Sequence, residues 1–352
     1  MRLFILFALA LQPSRFSGTL DIFRSLFHFA YVSRLPESAT ISRRDFLMKT
    51  AVATTATAIA GTSTLPGQGE IHNHVANSPQ HPPIAVFTKV CQTLKISFED
   101  SASLVAEAGM QGIDSPVRPD GEVLPARVAE DLPSYAEALK KHNLRLLLLT
   151  TAITKPSSEN AETILRTAKK LGVQYYRLGF TEIQKDRAPE KQISEVKAGL
   201  KDLVALNKEI GITALYQNHS PSGRSYVGGN LDDLYEIVKD FDPAQIGVAF
   251  DIGHALVVHG KDWRPHFEKI RSHFKIAYIK DVKMGGRWVP FGKGDIAETG
   301  YFKLLREMKY SAPISLHIEF DWTEKGKTKT RPALLKALQE STATLKKWLA
   351  EA

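Results

Sequence analysis

The chain has 352 residues, with 46 Lys and Arg against 38 Asp and Glu, a length that takes one large α/β domain plus a leader. Its formal charge of +8 does not describe a nucleic-acid surface, because residues 1–69 hold seven bases and three acids and so carry half of the excess. With Cys91 as the sole cysteine, an intrachain disulfide is excluded and a folded domain must rest on its core.

Residues 1–41 read as an N-terminal extension in which Met1–Ala10 by itself looks like a secretory apolar core. Residues 42–65 are expected to be a twin-arginine export signal: Ser42-Arg43-Arg44-Asp45-Phe46-Leu47-Met48-Lys49, then a weakly apolar Ala/Thr run to Ala60. That run is too short and too rich in Ala and Thr to span a membrane. Residues 66–84 read as a linker rich in Gly, Pro, Ser, Asn and His, whose His72, His74 and His81 either bind metal loosely or are simply solvated. The expectation is an exported protein, periplasmic or extracellular, with the twin-arginine machinery as a partner.

From residue 85 to 348 the pattern repeats. Apolar runs occupy Val86–Leu94, Gly112–Val117, Leu144–Ile153, Val173–Phe180, Ile212–His219, Ile246–Ile252, Ile276–Val282 and Ile314–Phe320. Nearly continuous apolar runs are what strands covered on both faces require. Helical spacing fills the gaps: Ala161–Leu171 stopped by Gly172, Ser194–Ile210 stopped by Gly211, and Leu231–Phe241 with Asn230 as its N-cap. Eight such units predict a (β/α)8 TIM barrel preceded by an export signal and flexible linker. A doubly wound sheet fits the alternation less well, since no Gly-x-Gly-x-x-Gly follows the first strand.

A parallel barrel gathers the C-terminal ends of its strands around one mouth. Those ends read Arg177-Leu178-Gly179, Gln217-Asn218-His219, Asp251-Ile252-Gly253-His254, Lys280-Asp281 and His317-Ile318-Glu319. Each has a chemical and a plainer reading. Asp251 and His254 suit a divalent cation plus a substrate hydroxyl, or Asp251 is a helix cap. Lys280 is a base or electrophile of depressed pKa, or half of an ion pair. Gln217, Asn218 and His219 bond a polyol, or satisfy their own loop. Arg177 anchors an anionic or carbonyl group, or pairs with Glu182 or Glu319. Val289–Ile296, with two glycines, is a phosphate cradle or a turn.

In that order, Gln217-Asn218-His219, Asp251-Ile252-Gly253-His254, Lys280-Asp281-Val282, Pro290–Ile296 and Glu319 resemble the xylose-isomerase-like TIM-barrel superfamily of sugar isomerases and epimerases. The resemblance implies one divalent cation (Mn2+, Mg2+ or Zn2+) held by Asp251, Glu319 and Gln217, with His254 near substrate. It also marks two departures: Gln217 stands for the family's Glu, and Tyr278 for its His. Gln217 brings no charge and cannot act as a base, and Tyr278 is a poor ligand at ordinary pH. The implied enzyme moves a proton beside a carbonyl of a small sugar or polyol, with Glu319 or Lys280 catalytic and His254, His219, Asn218 and Arg177 binding substrate. A keto-sugar lyase or hydratase, or a non-catalytic sugar-binding barrel, are the alternatives; nucleic acid is not expected.

Overall fold

The computed structural model describes residues 81–323 and 327–352. The extension, the export-signal segment and all of the linker before His81 lie outside the described residues. The strands, in chain order, are β1 (Ile84–Phe87), β2 (Gly112–Val117), β3 (Arg145–Thr151), β4 (Tyr175–Arg177), β5 (Thr213–Gln217), β6 (Ile246–Asp251), β7 (Phe274–Ile279), β8 (Val282–Lys283), β9 (Arg287–Trp288) and β10 (Ile314–Leu316). Strands β1 to β7 and β10 form a closed, wholly parallel barrel, sealed where Ile84–Val86 pair with Ile314–Leu316. Strands β8 and β9 are a separate antiparallel hairpin. The chain thus has the predicted (β/α)8 architecture.

Local chemistry explains the alternation. Asn230 Oδ1 accepts from the Asp233 amide at 2.8 Å and starts the helix Leu231–Val238. The helix Pro189–Ile210 starts five residues before its apolar pattern, with proline in its first turn where no N–H is needed. It ends at Gly211, whose φ of +73° few other residues adopt cheaply. The first strand departs from expectation: it ends at Phe87, and the rest of the apolar run folds into the helical turn Lys89–Gln92. Apolar continuity alone does not separate a strand from a buried helical turn.

Two apolar layers result. The main core lies between barrel and helices and includes Leu104, Leu132, Leu165, Leu203, Phe250 and Phe267. A smaller cluster of Leu148, Leu215, Ala249, Ile276 and Tyr278 plugs the barrel interior. Above this plug the inward positions turn polar, and the mouth begins. Among the described residues no helix is long and apolar enough to cross a membrane.

Candidate active site

The end of β6 organises one half of the mouth. Asp251 is fully buried, and its Oδ1 accepts from the His254 amide at 3.2 Å, capping the helix Ile252–His259. Its other oxygen, Oδ2, lies 3.2 Å from Lys280 Nζ and accepts from Gln217 Nε2 at 3.2 Å. Cap and ion-pair partner are therefore one residue. Asn218 straps β5 to β6: its Nδ2 donates to the Asp251 carbonyl at 2.9 Å, and its Oδ1 accepts from the Asp251 amide at 2.8 Å.

Lys280 Nζ also donates to His254 Nε2 at 2.8 Å. An ammonium has no acceptor, so His254 Nε2 carries a lone pair and Nδ1 carries the proton, which goes to Ser220 Oγ at 2.8 Å. Burial, reinforced by Lys280, holds the His254 imidazole neutral, well below its ordinary pKa. His219 stacks on it, ring centres 3.8 Å apart, and its Nδ1–H donates to the Ser220 carbonyl at 2.7 Å, leaving Nε2 bare. Burial and Lys280 depress His219 to about 4. Burial raises the Asp251 carboxyl, with Lys280 opposing it. The β8–β9 hairpin roofs this half: the Trp288 ring centre is 4.9 Å from Lys280 Nζ and 5.0 Å from the His254 ring.

Asp281, next to Lys280, works in the opposite direction. Its Oδ1 accepts from the Val282 amide at 2.9 Å, and Oδ2 accepts from Gly292 and Gly294 at 2.9 and 2.8 Å. A Cβ on Gly294 would fall 1.9 Å from Asp281 Oδ1, so only glycine allows the wrap. The Pro290–Ile296 segment is thus a turn folded around an internal carboxylate, which uses the amides that a phosphate would need.

The other half of the mouth, from β1 to β4 and β10, is bonded differently. Asp114 on β2 is fully buried and accepts from Thr150 Oγ1 at 2.9 Å and Ser315 Oγ at 2.8 Å. Burial raises its carboxyl. Since Ser315 spends its proton on Asp114, His317 Nε2–H donates to Ser315 Oγ at 3.1 Å. The Tyr278 hydroxyl is buried beside this group without an aligned partner. Arg177 pairs with neither Glu182 nor Glu319: Glu182 bonds Arg224 at 2.7 Å, and Glu319 lies 3.9 Å from Lys89. Glu319 follows the end of β10 at Leu316, 28% exposed, and its ion-pair partner is not Lys280. Its field still raises His219 and Arg118, so it belongs to the same mouth.

The structure brings together Gln217, Asn218, His219, Asp251, His254 and Lys280 in direct contact, with Arg177 and Glu319 at the same mouth, acting on His219 without bonding to it. Asp114, Arg118, Ser220, Trp288, Ser315 and His317 complete the mouth and carry no role in the sequence reading. The signals available in the sequence were the lone aspartate inside the apolar run Gly112–Val117 and the place of His317 at the end of the last run. Two recesses flank the mouth: about 190 Å3 between Phe87, Lys89 and Glu319, and about 210 Å3 between Thr154, Glu182 and Arg187.

The donors do not fit the implied divalent cation. Asp251 oxygens are engaged by Lys280, Gln217 and an amide, Gln217 presents its N–H2, and a neutral phenol stands at Tyr278. Among the described residues no three His, Cys, Asp or Glu side chains cluster as metal ligands.

Comparison with known proteins agrees with this fold. Residues 102–346 match the family described as xylose isomerase-like TIM barrel. An inosose dehydratase of Clostridium tetani (strain Massachusetts / E88) is 25% identical over 150 residues, covering 38% of this chain and 49% of that protein. This chain therefore matches about half the length of that curated relative. The fold is similar to that of a D-tagatose 3-epimerase-like protein (TM-score 0.57, 18% identity, 76% of this chain and 97% of that one). It is also similar to a 3-keto-D-glucoside 4-epimerase from E. coli (TM-score 0.57, 14% identity, 76% and 99%).

Proposed function

This chain belongs to the xylose isomerase-like TIM barrel family, and from that premise we propose that it is a carbohydrate-active isomerase or epimerase that moves a proton beside a carbonyl. The observation that carries the reading is the Lys280 ammonium held between Asp251 and His254 under Trp288. An ammonium has three protons. One goes to His254 and one to Asp251, and the third is left to meet a substrate carbonyl oxygen. As the α-proton leaves, negative charge grows on that oxygen, and a preset ammonium in a water-poor site stabilises it.

In this reading Lys280 is the electrophile, its positive charge matched by the Asp251 carboxylate 3.2 Å away. Glu319 takes the α-proton, its 3.9 Å contact with Lys89 being loose enough to exchange. The bare Nε2 of His219 accepts from a substrate hydroxyl. Protonation of the neighbouring carbon gives the isomer, and return to the other face gives the epimer. No step passes through a metal. Elimination of water from the same enolate is a second reading, favoured because, among the described residues, Glu319 is the one carboxylate of the mouth held by nothing tighter than a 3.9 Å contact. Export through the twin-arginine machinery is part of the proposal, supported by Ser42–Lys49.

The test is incubation of the purified chain with keto-sugars in D2O. Deuterium should enter the carbon beside the carbonyl without loss of water, and Glu319→Gln should lower the exchange rate by about a hundredfold or more. Exchange coupled to water loss would select the elimination reading. A wild-type protein that exchanges nothing would refute both.

A further inference from the structure

Arg177 is a buried cation without an ion pair among the described residues, the buried Asp114 acting on it only from beyond contact distance. It occupies an inward position of β4, in register with Thr150 of β3 and Leu215 of β5, both of which face the barrel interior. Only 3% of it is exposed, and among the described residues no carboxylate forms an ion pair with it within 4 Å. One Nη donates to the Leu178 carbonyl at 2.5 Å, and the guanidinium lies 4.4 Å from the Phe180 ring centre. Stacking covers the face of the guanidinium and leaves its edge, where Nε–H has no partner. Buried polar groups in native proteins are almost always bonded, so an orphaned guanidinium edge calls for a ligand.

The surroundings repeat the same imbalance. Arg118, directly after β2, lies 5.7 Å from the Phe87 ring centre and makes no ion pair among the described residues. Around the mouth stand the cations Lys89, Arg118, Arg177 and Lys280 against the carboxylates Asp114, Asp251 and Glu319. Lys280 is matched by Asp251 and Lys89 by Glu319. Asp114 is bonded to hydroxyls, and burial favours its neutral form. At least one positive charge is left over. The three imbalance-sensitive imidazoles, His219, His254 and His317, are all held neutral by burial and by these cations, so they neither add to the excess nor relieve it.

We infer that the substrate of this mouth carries a carboxylate, gripped by the free edge of Arg177 with Arg118 beside it: a keto-sugar acid rather than a neutral ketose. The inference rests on the proton-transfer reading for the chemistry, but its own subject is the charge of the ligand. A carboxylate is favoured over a phosphate ester on two grounds. It is planar and matches a guanidinium edge. The backbone amides that would cradle a phosphate, those of Gly292 and Gly294, are already spent on Asp281.

Calorimetric titration of the full chain with 2-keto-D-gluconate, D-fructose and D-fructose 6-phosphate tests it. The sugar acid should bind about tenfold or more tighter than fructose at low salt. Arg177→Met should bring that ratio to about one, and Arg118→Met should lower it less. Arg177→Lys, which keeps the charge and loses the fork, should fall between and guards against a Met variant that fails to fold. Equal affinity for acid and ketose, stronger binding of the phosphate ester, or no binding of 2-keto-D-gluconate would overturn the inference. Its failure is separable from that of the proton-transfer reading: deuterium exchange into a neutral ketose with no charge preference sinks this inference alone. Charge-selective binding without exchange sinks the other.

Discussion

The two halves of the mouth solve the problem of buried charge in opposite ways. Around β5 to β7, Asp251, Lys280, Gln217, His254 and Ser220 form a continuous chain of bonds in which charges and protons are matched. Around β1 to β4, Arg177 keeps an unbonded N–H and, among the described residues, Arg118 has no ion pair, while the carboxylate of Asp114 is bonded to hydroxyls. The first half is complete without a ligand and the second is not. A site built this way keeps its reactive group rigid and leaves recognition to the side that gains most from being filled.

The largest effect should come from cutting the matched half. Lys280→Met strands the buried Asp251 carboxylate and should cost about 3–5 kcal/mol in urea unfolding. Adding Asp251→Asn should recover part of that loss. A single variant within 1 kcal/mol of wild type would mean that Asp251 is already neutral and that the contrast between the halves is false.

The contrast was only half legible in the sequence. Motif residues on β5, β6 and β7 announce themselves because Asn218, Asp251, Gly253 and Lys280 serve backbone and side chain at once, as straps, caps and close contacts. Asp114, Arg118 and Glu122 are single charged residues with no spacing to mark them, and their partners, Thr150, Ser315 and Tyr135, come from distant strands and helices. Glu319 shows a different limit. Its place in an apolar run suggested an inward side chain, but β10 ends at Leu316 and the chain then turns toward Lys89. The hairpin of β8 and β9 was hidden for a similar reason, since two residues on each side carry no period.

An intermediate effect is expected from Glu122, which bonds Thr88 and Tyr135 and is pushed up to about 7 by burial. In the unfolded chain it ionises near the ordinary value of 4.5. Between those values the unfolded state releases the proton more readily, so this group's contribution to stability falls as pH rises, and its full cost is present above about 7. Glu122→Gln should therefore gain about 3 kcal/mol relative to wild type on going from pH 4 to pH 8. A pH-independent difference in urea midpoints would place Glu122 among the ordinary surface acids. The smallest effect should be that of Arg177→Met, within about 1 kcal/mol of wild-type stability, because it removes no ion pair and relieves a desolvated charge. A loss as large as that of Lys280→Met would show that Arg177 has a hidden structural partner.

The wrap of Pro290–Ile296 around Asp281 has a consequence for traffic. Raising that corner would break the two hydrogen bonds from the Gly292 and Gly294 amides and leave Asp281 Oδ2 without its donors, so the corner acts as a fixed wall. The guanidiniums of Arg118 and Arg177 stand outside that wall, beside the rings of Phe87 and Phe180, where a ligand can reach them without the corner moving.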